Sequence, residues 1–293
     1  MLRILLLAVA IIAAPATAQP LRVMSFNIRL PIDTQPERTW QARAPIAAAA
    51  IRRARADVVG LQELFQRQGD DLAAALPGYR WFGIDRRGGH GDEHMGVLYN
   101  TRALRLIDSG QFWLSDTSDI PGSITWGHPY PRMVTWGVFE RRSDRRRFRL
   151  LNTHLPHRAE DAAARSKGAA LIVERLATLP GATLPTVLTG DFNTEPDSDA
   201  HRLLTRSLED AWTAARRRSG PAATYHAFTG TPDRRIDWIL TRGFRADAVR
   251  TLTDHSGAVL ASDHFPIVAD LRFIPLAKTA RRVPPPTNRR STE

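Results

Sequence analysis

The sequence predicts an α/β sandwich in which two sheets pack against each other and helices cover their outer faces. Short apolar runs recur along the chain and indicate strands, whereas amphipathic helical patterns between them are fewer. No GxGxxG or GxxxxGK[ST] segment occurs at a strand end, so a dinucleotide-binding or P-loop fold has no support. A strand-rich core covered by helices favours the sandwich over a βαβ arrangement.

The composition is that of one folded domain. The chain has 293 residues, of which 43% are hydrophobic and 24% charged. Its body, from Leu21 to Ile274, contains no repeat and no linker rich in Gly, Ser or Pro, so we predict a single domain over residues 19–275. The chain has no cysteine, which excludes disulfides, thiolate metal sites and a catalytic cysteine.

The N-terminus has the order of a secretory signal. Arg3 is followed by an apolar run over residues 4–14 and by the small residues Ala16-Thr17-Ala18. The apolar run is shorter than the ~20 residues that cross a bilayer, so a membrane anchor is the weaker interpretation. We therefore predict a signal peptide over residues 1–18 and an exported protein, periplasmic or secreted, with no stable membrane anchor.

The formal net charge of +11 is spread unevenly. One positive charge is Arg3, and residues 276–293 hold five basic residues against Glu293, which leaves +6 for the body. That last segment contains Pro284-Pro285-Pro286 and no apolar periodicity, so we predict a disordered tail over residues 276–293. Nearly all basic residues are arginine, which a codon bias would also produce, so the charge is weak evidence for a polyanionic partner.

The strands and helices can be placed along the body in order. Strands are predicted at residues 21–28, 58–62, 80–84, 95–99, 134–139, 148–153, 186–189, 236–240 and 265–273. A first helix, with Pro45 in its first turn, is predicted from the apolar stripe Trp40, Ala44, Ala47, Ile51 and Ala54. A second helix is predicted over residues 161–179, before Pro180-Gly181, with an inward face of Leu171, Ile172, Leu176 and Leu179.

Polar residues stand at the ends of several predicted strands, where side chains can project into a cleft. Taken singly, each has a structural explanation, because Asp and Asn beside Gly make turns and a His among apolar residues is usually hydrogen-bonded. Together they supply what one hard divalent cation and a general acid/base pair require. The residues are Asn27, Glu63, His154, Asp191, Asn193, Asp237, Asp263 and His264.

These segments resemble, in order and wording, the motifs of the endonuclease/exonuclease/phosphatase (DNase I-like) superfamily. The resemblance covers residues 21–273 and rests on SFNI, GLQE, NTHL, GDFN, RIDWI and SDHFP. It implies a four-layer α/β/β/α sandwich of two mixed, largely antiparallel sheets flanked by helices. It also implies a metal-dependent hydrolase that acts on phosphoester bonds.

Further segments are similar to a bacterial, often exported subgroup of metal-dependent hydrolases in this superfamily. They are GQFWLS at residues 110–115, PGS at 121–123, PRMVTW at 131–136 and YHAFTG at 225–230. The subgroup has Asp where this chain has Pro156. The departure concerns the part of the site beside His154.

The resemblance implies a metal site and a catalytic pair. Mg²⁺, with Mn²⁺ as the alternative, would be bound by Glu63 together with Asn27 and Asp263, and Asn27 would also contact the substrate. We expect no protein partner and a monomer.

Four residues receive catalytic roles from the same resemblance. Asp191 would orient and deprotonate the attacking water, and Asn193 would hold a phosphoryl oxygen. His264 would contact the phosphate as imidazolium or transfer a proton, with Asp237 fixing its tautomer and raising its pKa.

Three assignments have alternatives that the sequence leaves open. Glu93 would support His154 in a second His–carboxylate pair, or would be a surface loop residue. Arg132 would bind phosphate and Trp126 would stack on a base or sugar, or they would be a solvated arginine and a loop anchor.

The substrate class is also open, since one phosphate-cleaving core serves nucleic acids, nucleotides, phospholipid head groups and sugar phosphates. The loop over residues 115–130 could meet a nucleic acid, a lipid surface or a small polar ligand. The family name alone favours a nucleic acid or nucleotide. A non-catalytic phosphate-binding protein is the alternative class, although every position of the family's core chemistry holds the expected residue type.

Overall fold

The computed structural model describes residues 19–274. The predicted signal peptide at residues 1–18, residue 275 of the predicted domain and the predicted tail at residues 276–293 lie outside the described residues. Within residues 19–274, no helix is long and apolar enough to cross a membrane.

The described residues form fifteen strands, β1 to β15 in chain order. They are β1 (Leu21–Asn27), β2 (Val58–Gln62), β3 (Tyr79–Phe82), β4 (Val97–Asn100), β5 (Leu104–Trp113), β6 (Met133–Arg141), β7 (Arg147–His154), β8 (Thr186–Asp191), β9 (Glu209–Asp210), β10 (Arg217–Ser219), β11 (Asp237–Arg242), β12 (Phe244–Thr251), β13 (His255–Ser256), β14 (Val259–Leu260) and β15 (Ile267–Phe273). All nine predicted strands are present, with ends shifted by at most two residues.

The same residues form five α-helices. They are α1 (Trp40–Ala54), α2 (Gln66–Ala75), α3 (Ala162–Thr178), α4 (Asp199–Thr205) and α5 (Ala211–Ala214), with 3₁₀ turns at Pro36–Arg38 and Ala159–Asp161. The helix predicted over residues 161–179 is α3, and the predicted apolar stripe of the first helix lies on α1.

The strands build two large sheets. The seven-stranded sheet has the order β10-β12-β15-β1-β2-β4-β3, the six-stranded sheet has the order β5-β6-β7-β8-β11-β9, and β13 pairs with β14 alone. Among the strand pairs of the described chain, β1–β2, β7–β8 and β10–β12 are parallel and the others antiparallel. The prediction of two mixed, largely antiparallel sheets is confirmed.

Apolar packing places these sheets in the middle of four layers. Val23 of the first sheet and Val187 of the second belong to one buried cluster, so the sheets pack face to face. Ile51 of α1 packs with buried residues of β1 and β2 on the outer face of the first sheet. Ile172 of α3 packs with Trp238 of β11 on the outer face of the second. The predicted α/β/β/α sandwich is therefore confirmed.

The first helix shows how local sequence sets its ends. Thr39 accepts a hydrogen bond from the Ala42 N–H at 3.4 Å, and the helix ends at Arg55 in a left-handed conformation, φ 49°. Pro45 is the sixth residue of α1, so the prediction that it lies in the first turn is wrong. Its missing N–H is tolerated because Gln41, whose carbonyl would accept that bond, is exposed.

A buried amide joins the two sheets beneath their polar ends. Asn152 of β7 donates to the carbonyls of Leu61 and Gly96 at 2.8 and 3.0 Å. Its Oδ1 accepts from Gln62 at 2.6 Å and from Thr189 at 3.1 Å. One fully buried side chain therefore hydrogen-bonds with four groups of the two sheets.

We expect Asn152→Ala to lower the free energy of unfolding by at least about 2 kcal/mol, because it removes four hydrogen bonds from the buried space between the sheets. Denaturant unfolding measures the change. Asn100→Ala is the control, because the Asn100 side chain is only partly buried and its Oδ1 accepts from the exposed N–H of Arg102, and we expect a loss under about 1 kcal/mol. Equal losses in the two variants would contradict a special role for the buried amide.

Candidate active site

The two sheets present polar side chains at the same edge of the sandwich. Asn27 ends β1, and Glu63 directly follows the parallel strand β2. His154 ends β7 in register with Asp191, which ends β8, and Asp237 begins β11 opposite Asp191. The sheet register therefore brings the predicted strand-end residues together around one cleft of about 510 Å³.

Three residues at this edge have left-handed backbone conformations. They are Arg29 (φ 60°), Glu63 (φ 57°) and Asn193 (φ 51°). Such conformations cost energy for residues other than glycine and concentrate at functional sites. Each lies within two residues of the end of a strand, where the chain turns sharply toward the cleft.

Asp191 lies at the centre of the site and is 1% exposed. Its Oδ2 is 2.9 Å from the Asn27 Nδ2, 3.5 Å from the His154 Nε2 and 3.7 Å from the His264 Nε2. Burial, together with the charge of Asp237, raises the pKa of Asp191 to about 7, although His264 opposes the rise. A carboxyl group with this pKa can accept a proton near neutral pH.

His264 forms the predicted pair with Asp237. The Nδ1 of His264 is 2.8 Å from the Asp237 Oδ2, and both residues are buried. Burial by itself lowers the pKa of His264, but the carboxylates of Asp237 and Asp191 outweigh it and raise that pKa well above 6.5. The imidazole is therefore held as imidazolium, with Nδ1–H donating to Asp237 and Nε2–H facing the cleft.

His154 has the opposite protonation. Burial, followed by the positive charge of Arg132, lowers its pKa well below 6.5, so the ring is neutral. Its Nε2 lies 2.9 Å from the Nδ2 of Asn193, which also donates to the Leu155 carbonyl at 3.0 Å. An Nε2 that accepts from this amide places the ring proton on Nδ1.

The predicted pair of Glu93 and His154 does not form. The Glu93 Oε1 bonds the Nη1 of Arg86 at 2.8 Å, and the Nδ1 of His154 has no hydrogen-bond partner among the described residues. Burial and the nearby charge of Glu63 raise the pKa of Glu93. Glu93 lines the cleft nevertheless, so it is not a surface loop residue.

Pro156, where the similar subgroup has Asp, is buried directly after Leu155. Its carbonyl accepts from the Nη1 of Arg165 at 2.9 Å, which anchors the start of the loop to α3. Proline supplies no side-chain acceptor at this position.

Glu63 and Asp191 offer the chemistry of a cation site. Ligand atoms of Glu63, His154 and Asp191 lie within 4.8 Å of one another. One amide, the Nδ2 of Asn27, donates to Glu63 at 3.0 Å and to Asp191 at 2.9 Å, and neither carboxylate has an ion pair with Lys or Arg within residues 19–274. Two adjacent carboxylates without a Lys or Arg partner fit a divalent cation.

The remaining predicted ligands differ in how well they are placed. Asn27 would have to turn its amide so that Oδ1, which now accepts from the Arg29 N–H, faces Glu63. Asp263 lines the same cleft, with its Oδ2 3.7 Å from the Nη1 of Arg29. The structure thus brings the predicted ligands into one cleft, with Glu63 the best placed.

Arg132 and Trp126, the two predicted substrate contacts outside the strand ends, are placed differently. Arg132 is 4% exposed and lines the cleft, and its Nη1 has no hydrogen-bond partner in the described part of the chain. Trp126 does not line the cleft: its Nε1 donates to Asp116 at 2.8 Å, and the Lys167 Nζ lies 5.8 Å from its ring centre. Of the two alternatives for Trp126, the structure favours the loop anchor over the substrate contact, because its ring packs with the α3 side of the second sheet.

The sequence interpretation missed several residues of the cleft walls. On one wall the ring of Tyr130 stacks on His157, with centroids 6.0 Å apart, and lies 4.6 Å from the guanidinium of Arg86. On the other, the Arg234 guanidinium lies 4.1 Å from the ring of Tyr225. Tyr130 and Tyr225 stand beside or within the subgroup-like segments, which was the only sequence signal for them.

The chain was compared with protein families and with known proteins. Residues 24–264 match the model of the Endonuclease/Exonuclease/phosphatase family. No curated protein matches the chain.

Solved structures match over almost the whole described body. A mannosyl-6-phosphatase of Bacteroides thetaiotaomicron is 31% identical, with a TM-score of 0.81, over 86% of this chain and 100% of that one. An endonuclease/exonuclease/phosphatase of Bacteroides vulgatus is 31% identical, with a TM-score of 0.82, over 87% of this chain and 100% of that one. The human Nocturnin catalytic domain with bound sulfate anion is 20% identical, with a TM-score of 0.69, over 87% of this chain and 94% of that one, a likeness of fold.

Proposed function

The chain belongs to the endonuclease/exonuclease/phosphatase family, whose members are phosphoester hydrolases, and from that membership we propose that it hydrolyses small phosphomonoesters of the sugar-phosphate class with the help of Mg²⁺. The observation that carries the proposal is Asp191, a buried carboxylate set between a neutral and a protonated histidine and beside Glu63. Phosphoester hydrolysis needs a cation, a positioned water and a proton acceptor; Glu63 would hold the cation, and Asp191 would position the water and accept its proton.

Glu63 would hold the divalent cation, with Asn27 and Asp263 as further oxygen ligands. A bound Mg²⁺ neutralises charge on the phosphoryl and leaving oxygens. Carboxylate and amide oxygens are the ligands that Mg²⁺ prefers, and Mn²⁺ accepts the same set.

The protein's own groups would carry the proton transfer and the phosphate contacts. Asp191 accepts a proton from water as the water oxygen bonds to phosphorus and the ester P–O bond breaks. The Nε2–H of His264 would donate to a phosphoryl oxygen, and the Nη1 of Arg132, which has no partner among the described residues, would provide a further donor on the cleft wall. The amide of Asn193 would first have to give up its bond to His154 or to the Leu155 carbonyl to hold a phosphoryl oxygen. The released alcohol oxygen takes a proton from solvent.

Two observations support a small substrate. The cleft of about 510 Å³ lies in the range of small-molecule sites. The structure of a mannosyl-6-phosphatase matches this chain at 31% identity over the full length of that structure. A nucleic acid strand, which the family name favours, would need an extended basic surface around the cleft instead.

We expect phosphate release from hexose 6-phosphates by the chain from Gln19 onward in Mg²⁺, loss of that release in excess EDTA, and recovery when Mg²⁺ is restored. Inorganic phosphate is measured, with bis(p-nitrophenyl) phosphate and single-stranded DNA as comparison substrates. A rate that is unchanged by EDTA would contradict the metal. Hydrolysis of the diester or DNA alone would contradict the substrate class.

A further inference from the structure

The charges around the cleft are opposite in sign to the charge of the chain. The loops that connect strands and helices at the cleft end of the sandwich carry eight arginines and fifteen carboxylates, a formal balance of −7, whereas the whole chain is +11. We call them the cleft-end loops. They comprise residues 28–39, 63–65, 83–96, 114–132, 155–161, 192–198, 220–236 and 252–266.

Exposure sharpens this contrast. Of the charged residues on the cleft-end loops, the exposed arginines are Arg87 and Arg234, whereas Arg86 and Arg132 are buried in the cleft wall. The buried arginines therefore lie in the cleft wall together with carboxylates that include Glu63 and Asp263, whereas exposed carboxylates outnumber exposed arginines by six to two on the loops around it. The exposed carboxylates on these loops are Glu37, Asp116, Asp119, Glu160, Asp197 and Asp233.

The arginine excess lies at the other end of the molecule. The connections at residues 55–57, 101–103 and 142–146 carry five arginines and two aspartates. Strand β6 runs from Met133 at the cleft to Arg141 at this far end, a length of roughly 25–30 Å at about 3.3 Å per residue. That distance is well beyond the Debye length of about 8–10 Å in physiological salt, so these arginines do not act at the cleft.

We propose that the acidic cleft-end loops exclude polyanions, so that the enzyme accepts a small ester with one phosphate and an otherwise uncharged body. The proposal rests on the proposed function and narrows its substrate class. A single phosphate reaches the buried arginines and the cation site, whereas each additional phosphate of a nucleic acid or polyphosphate would lie against exposed carboxylates. The net charge of +11 would suggest the opposite preference.

The probe is a short single-stranded oligonucleotide without terminal phosphate. Its inhibition of hexose 6-phosphate hydrolysis is measured by kinetics, and its direct binding is measured by fluorescence anisotropy. We expect weak inhibition that does not weaken as salt is added. A basic binding face would give the reverse, an affinity that falls with salt by a log–log slope of about −0.7 for each phosphate neutralised.

Two charge-reversal variants test whether the cleft-end loops are the surface that repels the oligonucleotide. In Glu37→Lys/Asp197→Lys/Asp233→Lys, we expect oligonucleotide affinity to rise at least about 10-fold at low salt and to become salt-sensitive. The matched control is Asp108→Lys/Glu174→Lys/Glu209→Lys, which changes the net charge equally at exposed positions outside the cleft-end loops. We expect a change under about 2-fold in the control, because these positions are distant from the mouth.

The outcomes separate the two proposals. Tight, salt-sensitive oligonucleotide binding by the unmodified protein, or equal effects of the two triple variants, would overturn the exclusion of polyanions and leave phosphoester hydrolysis intact. Failure to hydrolyse any hexose phosphate would overturn the proposed function, while the anisotropy measurements would still decide whether the acidic loops repel a polyanion.

Discussion

Replacing Asp191 with asparagine is expected to reduce kcat for phosphoester hydrolysis by about 10²–10⁴-fold, the contribution of a positioned proton acceptor. The introduced amide has nearly the shape of the Asp191 carboxylate and keeps an oxygen for the Asn27 amide, so the strand ends stay in register. It cannot accept the proton of water. Steady-state kinetics with hexose 6-phosphate in Mg²⁺ measures the loss.

The same substitution should stabilise the metal-free protein at alkaline pH. The folded-state pKa of Asp191 is raised to about 7 from 3.8, so the folded protein holds a proton that the unfolded chain releases. The contribution of Asp191 to the free energy of unfolding is present at acid pH and is lost as pH rises from about 4 to 7. Asparagine does not titrate, so the variant does not lose stability in this way. Thermal unfolding in EDTA at pH 5 and pH 8 measures it.

Asp197→Asn is the control for both readouts. Asp197 is an exposed carboxylate on the loop that follows Asn193, and we expect its replacement to leave the rate and the pH dependence of stability unchanged. An Asp191→Asn enzyme with the rate of the unmodified protein would rule out Asp191 as the proton acceptor. A large loss of stability at both pH values would instead assign Asp191 a structural role.

Strong local patterns allowed most of the sandwich to be predicted. The strands that were missed have a weak or interrupted apolar alternation. Strand β5 (Leu104–Trp113) is an edge strand with much of its length exposed and a bulge between Leu106 and Asp108, so its apolar alternation is weak. Strand β12 has a bulge between Ala246 and Ala248 that likewise breaks the two-residue period. Their place in the sheets comes from pairing with neighbours distant in the sequence.

The site residues divide in the same way, because those at strand ends could be predicted and those in long loops could not. Asn27, His154, Asp191 and Asp237 could be found because each ends or begins an apolar strand, and sheet register brings strand ends together. Glu93 lies in a long loop, and nothing local to the sequence revealed that Arg86 would take its carboxylate.

The aromatic side chains illustrate the same limit. The sequence left Trp126 open as a substrate contact or a loop anchor, and its ring packs against the core on the α3 side. Tyr130, four residues further on, reaches the cleft instead. Loop side chains depend on the path of the whole loop, which periodicity does not describe.

Asp237→Asn is expected to lower kcat/KM by about 10²–10⁴-fold and to move its pH profile to lower pH. Asp237 is the group that most strongly raises the pKa of His264, so its loss makes the imidazolium deprotonate at lower pH and shifts the alkaline limb downward. Asp237 also raises the pKa of Asp191, so the acid limb should move in the same direction. Since one pH unit corresponds to about 1.4 kcal/mol, the 2.8 Å contact with His264 should shift the alkaline limb by at least about one unit.

Asp210→Asn provides the matched control because Asp210 also pairs with a histidine, His201, at 3.0 Å, but that pair lies outside the cleft. Asp210 is buried and also binds Arg235, so its replacement should reduce stability while leaving both limbs of the profile in place. A pH profile that is unchanged in Asp237→Asn would show that His264 does not act as the imidazolium. Equal shifts in both variants would mean that the profile reports folding, because a structural His–Asp pair and a catalytic one would then have the same effect.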